Sequence, residues 1–223
     1  MDVSNPGAPS LRGRTSINGG SCYSIALSGN YVIAASQGGN LEVIDVTDPS
    51  SPADVGHASG LNYASSVAAA GGYVYAASSI TGQGFYVFAL NGSTLTQVGH
   101  IPSLASDGYN MQPVGGKVYM ASRTGGLTII DVSNPYNPTA GASFDDSGMF
   151  RQYNSVAVTG NAMPACGYPE GTLVGFNSIF NVSNPSAPTF AANPNAAGSS
   201  VLARYGIAYT AIPQELQKKW LEA

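Results

Sequence analysis

Charged side chains are scarce in this sequence, and their scarcity excludes one class of partner. Only 9% of the 223 residues are Asp, Glu, Lys or Arg, against roughly a quarter in typical globular proteins. The formal net charge is -4, and the only lysines are Lys117, Lys218 and Lys219. Binding to nucleic acid requires clustered Lys and Arg. The composition therefore predicts that nucleic acid is not a partner.

Cysteines and long apolar runs are also in short supply. Two cysteines, Cys22 and Cys166, cannot form a disulfide framework or a four-ligand zinc site, and we expect two buried thiols. No apolar run approaches the roughly 20 residues that cross a bilayer, so we expect no membrane insertion. Met1 leads directly into a repeat, and no signal peptide is recognisable. Phosphate-binding loops and closely spaced His or Cys pairs are absent too, so the sequence predicts neither a metal nor a cofactor.

The sequence does contain a repeated turn motif. Asp-Val-Ser-Asn-Pro at 131–135 follows an apolar run, and similar pentapeptides recur along the chain. The five copies begin at positions 2, 45, 89, 131 and 181, which gives spacings of 43, 44, 42 and 50 residues. A period in the forties that consists of strands and turns is typical of propeller blades.

Each period contains four strand-like segments, with glycine-containing turns suited to tight hairpins. The sequence therefore predicts an all-β fold, a single five-bladed β-propeller over residues 1–212. Four blades lie at about 22–59, 63–101, 108–145 and 153–193. The closing blade combines C-terminal strands in 199–212 with N-terminal strands in 2–16, so that no sheet edge is left exposed. Residues 213–223 are predicted to form a short C-terminal helix, with Leu216 and Trp220 four residues apart on one face.

The motifs resemble those of the LVIVD-repeat family. Val43-Ile44-Asp45-Val46-Thr47-Asp48-Pro49 and Ile129-Ile130-Asp131-Val132-Ser133-Asn134-Pro135 match its pattern best. Blade two departs from it, because Ala89-Leu90-Asn91-Gly92-Ser93 replaces the turn motif. The resemblance implies a β-propeller, often in surface or extracellular contexts, and it implies no particular reaction.

The repeated acidic residue of the motif, at Asp2, Asp45 and Asp131, has two interpretations. A ring of metal ligands is one, but the three residues fall on different blades, too far apart to share an ion. The other is structural, because short polar side chains accept hydrogen bonds from nearby backbone N–H groups and stabilise turns. We favour the structural interpretation.

Two groups of residues are candidate binding sites. If the first strand of each blade is innermost, polar and aromatic residues line the channel mouth, where they suit a neutral polar ligand such as a sugar, or only ordered water. These residues are Tyr23, Tyr63, Tyr109, Asn110, Tyr153 and Asn154. The loops of the same face and the C-terminal helix are candidates for a protein partner, because irregular loops on a rigid scaffold often carry function. The residues concerned are Arg123, Asp145, Asp146, Arg151, Tyr168, Glu170, Leu216 and Trp220.

Catalytic interpretations have less support. Five-bladed glycosidases need carboxylates that converge on the channel, and the predicted channel strands carry none; Asp107 and the pair Asp145-Asp146 come nearest. His57 and His100 fall in the fourth, outermost strand, which argues against a histidine-led triad at the channel. We therefore expect a protein that is not an enzyme.

The function predicted from the sequence is a non-catalytic structural or interaction module. It would act through its loop face and C-terminal helix, as a component of a virion or a cell surface, with a protein partner or further copies of itself. The alternative is a lectin-like propeller that binds a glycan, and a glycosidase ranks third. The low charge and the abundance of Gly, Ser and Asn suggest an extracellular, cell-surface or virion location.

Overall fold

A computed structural model shows a chain built of antiparallel β-strands. It describes all residues except 19, 62, 79, 81–82, 103, 105–107, 124, 147–150, 170–174, 195–197, 212–215 and 221–223. The described residues contain no helix that is long and apolar enough to cross a membrane.

Within the described ranges, nineteen strands form five antiparallel sheets in chain order. Sheet 1 contains β1 (Cys22–Ser28), β2 (Tyr31–Ser36), β3 (Leu41–Asp45) and β4 (Ala53–Ala58). Sheet 2 contains β5 (Ala64–Ala70), β6 (Tyr73–Ser78), β7 (Phe85–Asn91) and β8 (Thr94–Ile101). Sheet 3 contains β9 (Gly108–Val114), β10 (Lys117–Ser122), β11 (Gly126–Asp131) and β12 (Thr139–Ala140). Sheet 4 contains β13 (Arg151–Val156), β14 (Ala162–Pro169), β15 (Phe176–Asn181) and β16 (Thr189–Ala192), and sheet 5 contains β17 (Ser200–Arg204), β18 (Ile207–Ala211) and β19 (Leu216–Trp220).

The repeated turn motif joins the third strand of a sheet to the fourth. Asp45 Oδ1 accepts a hydrogen bond from the backbone N–H of Thr47 at 2.8 Å, and Asp131 accepts the same bond from Ser133 at 3.0 Å. Asn181 makes it with Ser183 at 2.9 Å. The structural interpretation of the repeated acidic residue is thus confirmed, because each side chain satisfies a backbone donor of its own turn.

Asp131 has a lysine beside it on the neighbouring strand, while Asp2 of the first motif copy pairs with Arg12 at 3.3 Å. Lys117 stands opposite Asp131 in the β10–β11 pair and forms an ion pair with it, whereas Tyr31 stands opposite Asp45. The lysine, and then the hydroxyl and N–H of Ser133, lower the pKa of Asp131 to about 2. Because this pKa lies below the ordinary value of 3.8, the carboxylate stabilises the fold above about pH 4, and this contribution is lost as pH falls toward 2.

Replacing Asp131 with asparagine is therefore expected to lower the melting temperature modestly near neutral pH, by about 1–3 °C. Asparagine keeps the turn hydrogen bond, as Asn181 does, and removes only the charge. Melting curves between pH 7 and pH 2 should show the difference from the unsubstituted protein disappearing at the acid end. Asp45→Asn, which has no lysine opposite, is the control and should show a smaller difference. An equal difference for both variants would contradict the role given to Lys117.

The first strands of consecutive sheets lie side by side, and polar side chains on them bind the backbone of the next sheet. Ser24 Oγ accepts a hydrogen bond from Val67 N–H at 3.2 Å and donates one to Val67 O at 3.4 Å. Ser155 makes the same two bonds with Val201, at 3.1 and 3.2 Å. Gln112 makes them with Val158 through its amide group. Each of these sheets is thus fixed to the next through its first strand.

The core consists of apolar side chains packed between neighbouring sheets. One cluster joins sheets 1 and 2 and a second joins sheets 3 and 4. Cys166 is buried, and burial raises the pKa of its thiol to about 12. The expectation of two buried thiols is wrong for Cys22, which is exposed.

The C-terminal helix predicted over 213–223 is wrong where the structure describes this segment. Residues 216–220 form β19, which pairs antiparallel with β18, so that Leu216 lies opposite Ala211 and Trp220 opposite Ile207. The free edge of β18 offers a full row of backbone hydrogen bonds, whereas a helix this short is marginal without packing. Docking through a helix face is therefore not available to Leu216 and Trp220.

The N-terminal segment lies beside sheet 1, and the third strand of sheet 5 is β19 rather than one of the N-terminal strands predicted in 2–16. Asp2 and Ser10 form an isolated bridge with each other. Gly13 lies so close to the turn at 49–52 that an added Cβ would be 2.5 Å from Pro49 O, and Gly56 approaches Ser93 O in the same way. The N-terminal segment therefore contacts the turn between β3 and β4 in the way that β4 contacts the turn between β7 and β8 of sheet 2. The segment itself forms no strand in one of the five sheets.

Candidate binding site

Two tyrosines meet at the end of the sheets where first strands begin and second strands end. The hydroxyls of Tyr23 and Tyr63 are 2.7 Å apart and share a hydrogen bond, and their ring centroids are 5.4 Å apart. Tyr23 lies at the start of β1 and is 48% exposed. The hydrogen bond with Tyr63 raises the pKa of Tyr23, and the negative charge that Tyr109 would carry also contributes. Tyr23 thus presents a neutral hydroxyl at physiological pH.

Tyr109 and Arg123 form the second half of this group. The guanidinium carbon of Arg123 lies 5.5 Å from the centroid of the Tyr109 ring, within the range of a cation–π contact. Arg123 Nε also donates a hydrogen bond to Gln152 Oε1 at 3.4 Å. A guanidinium has five N–H donors in a fixed plane, so these two contacts orient the group and leave other donors directed elsewhere.

Tyr63 adopts a strained backbone conformation. Its φ is 72°, and among the described residues only Tyr63 and Tyr205 combine a side chain with a positive φ. A bulky residue pays about 1–3 kcal/mol for such a conformation. Strain of this kind persists where the surrounding structure enforces it, and it is concentrated at functional sites. The conformation brings the Tyr63 hydroxyl to Tyr23.

We call Tyr23, Tyr63, Tyr109 and Arg123 the mouth cluster. It offers exposed aromatic faces, phenolic hydroxyls and one oriented cation, which together suit a ligand with a carboxylate beside an apolar or planar group. These groups can bind a ligand through hydrogen bonds, ring contacts and the guanidinium charge. Three of its members were predicted as ligand-binding residues and Arg123 as a partner-binding residue.

The other predicted ligand-binding residues lie elsewhere. Asn110 Oδ1 accepts a hydrogen bond from Val156 N–H at 3.0 Å and therefore belongs to the contacts between sheets 3 and 4. Tyr153 is fully buried, and burial and the charge of Asp146 raise its pKa. Asn154 is half-buried at a β-bulge, where the pairing of β13 with β14 shifts by one residue. The prediction that Tyr153 is accessible at the mouth is wrong, because the ring packs edge-on against Phe176.

The remaining predicted partner residues are partly described. Asp146 is half-buried and accepts a hydrogen bond from the Ser178 hydroxyl at 2.6 Å, and Asp145 beside it is half-buried too. Tyr168 is half-buried and lies opposite Gln152. The backbone of Arg151 pairs with Pro169, but its side chain lies outside the described residues, as does the whole of Glu170.

Sequence reasoning missed Gln152 and Glu42. Gln152 orients Arg123, and nothing in its local sequence distinguishes it. Glu42 is buried in β3 opposite His57; burial and, next, the charge of Asp54 raise its pKa. A Glu between Leu41 and Val43 in an apolar strand was the available signal. Glu42 lies in the third strand of its sheet, whereas Tyr23 and Tyr109 of the mouth cluster lie in first strands.

Comparisons with known proteins agree with this architecture. Residues 19–58 and 114–146 match the family model described as the LVIVD repeat, which confirms the resemblance seen in the motifs. A search of curated protein sequences found no match.

Solved structures with a similar fold include one that is described as WD40 repeats. The WD40 repeats of RRP9 superpose with a TM-score of 0.63 at 11% identity over 87% of this chain and 61% of that chain. U3-55K gives 0.61 at 12% identity over 87% and 61%, and the hydrazine synthase of Kuenenia stuttgartiensis gives 0.58 at 12% over 82% and 53%. This chain thus spans about half to three-fifths of the length of these structures. At such identities the likeness shows the fold alone, a β-propeller.

Proposed function

We propose that this chain, an LVIVD-repeat protein with a β-propeller fold, is a non-catalytic interaction module that binds a protein segment at its mouth cluster. The five sheets are, in this proposal, five consecutive blades of one propeller. The rigid inner strands of sheets 1 to 3 position the binding residues. The proposal involves no docking helix, because residues 216–220 form the strand β19.

The observation that supports the proposal is the composition and geometry of the mouth cluster. Tyrosine and arginine dominate the energetic centres of protein interfaces, and here exposed tyrosines stand beside an arginine already oriented by Tyr109 and Gln152. Ordering before binding lowers the entropic cost of association. The strained backbone of Tyr63 indicates that the arrangement is maintained at an energetic cost.

The charges favour a partner segment with an acidic side chain next to an aromatic or apolar residue. Arg123 supplies a fork of donors for a carboxylate, while the tyrosine rings supply a flat surface for the neighbouring group. A lectin with a site in each repeat would show similar polar sets in every sheet. Tyr23 and Tyr109 occur near the start of β1 and β9, but the starts of β5 and β17 carry Ser65 and Ser199–Ser200. A protein segment is therefore the better candidate.

The test is a selection of random peptides displayed on phage against the intact protein. Peptides recovered should be enriched in acidic and aromatic residues. Arg123→Ala and Tyr109→Ala should each weaken their binding at least tenfold, because tyrosines and arginines at the energetic centre of an interface often contribute about 2 kcal/mol or more. Tyr136→Ala is the matched control, since Tyr136 is exposed in the turn of sheet 3, outside the cluster. Peptides that bind all variants equally would contradict the proposal, and cluster-dependent signals confined to a glycan array would support the lectin alternative.

A further inference from the structure

A cleft of about 210 Å³ lies between sheet 3 and the turn that joins β15 to β16 in sheet 4. Lys117, the first residue of β10, lines the cleft, whereas Arg123 of the mouth cluster follows the last residue of β10. The cleft and the mouth cluster therefore lie at opposite ends of that strand. The polar side chains that line the cleft belong to Lys117, Asp131, Thr139 and Ser186.

The equivalent space at the two preceding junctions is filled by a tyrosine that sheet 3 lacks. Tyr31, Tyr73 and Lys117 occupy one position of the repeat, because each stands opposite the first residue of a motif copy. Tyr31 packs on the core cluster between sheets 1 and 2, and Tyr73 packs on the cluster between sheets 2 and 3. Lys117 therefore puts a charged group where the earlier sheets have an aromatic ring.

A valine is missing from the same space. Val98 lies in the β-bulge of sheet 2 beside Gln97, and it packs on the cluster between sheets 2 and 3. Ala140 has the pairing position of Gln97, so Gly141 takes the place of Val98 in sheet 3. Because a glycine has no side chain, the volume that Val98 fills in sheet 2 stays open beside Gly141.

An alanine then holds the next turn away. Gly99 approaches the turn of sheet 3 so closely that an added Cβ would lie 2.3 Å from Pro135 O, and Gly56 makes the same approach to the turn of sheet 2. Ala142, two residues after Ala140, takes the position of Gly99 in sheet 3. Since Ala142 carries a Cβ, the turn of sheet 4 cannot come equally close, and the cleft results from these three replacements together.

The charges in the cleft favour an uncharged ligand. Lys117 and Asp131 form an ion pair, so an anion would meet the carboxylate and a cation would meet the ammonium group. A protonated lysine has three N–H donors, of which the bond to Asp131 uses one. A hydroxyl group can accept a hydrogen bond from the ammonium and donate one to the carboxylate. The adjacent pair therefore suits neighbouring hydroxyls on one molecule.

The other walls restrict the ligand to a small ring. Thr139 and Ser186 add two hydroxyls, each of which can donate and accept. Ile129, Ala140 and Pro185 add apolar walls against which the C–H groups of a ring can pack. The volume is below the roughly 300–1,000 Å³ of sites that hold drug-sized molecules. The cleft therefore has room for a single sugar ring.

We propose that the cleft between sheets 3 and 4 binds one monosaccharide unit, whose neighbouring hydroxyls bridge Lys117 and Asp131. This site is separate from the mouth cluster and does not depend on the function proposed for that cluster. The replacements of tyrosine by Lys117 and of valine by Gly141 occur at this junction and not at the two before it. One site in the chain is therefore expected, rather than one site in each repeat.

NMR titration of the intact protein tests the proposal with glucose, galactose, mannose, fucose and N-acetylglucosamine. Each is used as the free sugar and as its methyl glycoside. At least one of them should shift the amide resonances of residues 139–141 and 186, and leave those of Tyr23 and Tyr109 unchanged. Binding of a glycoside would identify the end unit of a glycan as the ligand, whereas binding of the free form alone would identify a soluble sugar.

Two variants alter the cleft, and a third serves as their control. Gly141→Val supplies the side chain that sheet 2 has and should weaken binding more than tenfold; its Cβ would lie 3.2 Å from Ile129 O, so a melting curve checks the fold. Thr139→Val keeps the shape of an exposed residue and removes a hydroxyl, so it should weaken binding about threefold to tenfold, the effect of one hydrogen bond. Tyr136→Ala, exposed and outside the cleft, should change nothing.

Three results would overturn the proposal. They are the absence of any shift with all the sugars, shifts that map away from residues 139–141 and 186, and a stronger response to sodium acetate or ammonium chloride than to any sugar. Arg123→Ala separates this proposal from the function proposed above. It should weaken peptide binding at the mouth cluster and leave sugar binding in the cleft unchanged, so either proposal can fail without the other.

Discussion

Replacing Phe180 with alanine is expected to lower the free energy of unfolding by about 3–5 kcal/mol. Phe180 is 1% exposed in β15 and belongs to the cluster that joins sheets 3 and 4. Its ring packs edge-on against Phe144 and Tyr153, with centroids 5.3 and 6.4 Å away. Truncation leaves a cavity among rings that belong to both sheets, and packed rings cannot collapse to fill it.

Phe190→Ala is the control for this variant. Phe190 pairs with Phe180 across β15 and β16 and touches its ring, but it is about half exposed. Its truncation removes a similar ring and leaves no enclosed cavity, so the loss should be well under half as large. Urea unfolding, followed by far-ultraviolet circular dichroism, gives the free energy of unfolding of both variants. Equal losses would show that the buried cluster does not determine the stability of this junction.

Gly84→Ala is expected to cost about 2–5 kcal/mol, the second-largest effect. Gly84 has a φ of +71°, and a Cβ there would stand 1.9 Å from the carbonyl oxygen of Ile101. Ile101 pairs with Phe85 at the start of β7, so the added methyl group would push apart the strands at this end of sheet 2. The cost combines left-handed backbone strain with overpacking.

Gly72→Ala separates these two contributions. Gly72 has a φ of +81°, and no atom lies within 4 Å of the position of its Cβ. Alanine there should cost only the left-handed conformation, about 1–2 kcal/mol. The difference between the two variants in chemical denaturation then measures the contact with Ile101. A Gly84→Ala protein as stable as Gly72→Ala would mean that the strand ends separate without cost.

The repeat made much of the fold predictable. Its period set the order of strands, and the motif at Asp45 and Asp131 correctly predicted turns stabilised by side-chain to backbone hydrogen bonds. Repetition averages out local ambiguity, since each strand is indicated several times. The prediction failed where nothing repeats, at the C-terminus. A spacing of four residues places Leu216 and Trp220 on one face of a helix, but it also places them on one face of a strand, and only the free edge of β18 decides between the two.

The candidate site was less predictable, for a physical reason. Residue type and strand position suggested Tyr23 and Tyr109, yet the same reasoning gave Asn110 and Tyr153, which face neighbouring sheets. A β-bulge between Cys22 and Ser24, which includes Tyr23, shifts the register of β1 against β2. A second bulge, between Tyr153 and Ser155, shifts the register of β13 against β14. Alternation of side chains along a strand cannot reveal such shifts, and so it cannot say which residues turn outward.

The hydrogen bonds that Ser24 and Ser155 make to the following sheet have a consequence for how the chain comes apart. Each such bond joins neighbours in sequence, so cooperativity between distant sheets has to pass through every junction in between. Sheets 1 and 5 leave large apolar side chains exposed, Ile25 and Leu202 among them, so they are the least covered members of the series. Fraying should therefore begin at sheets 1 and 5, and their amide protons should exchange with solvent before those of sheet 3.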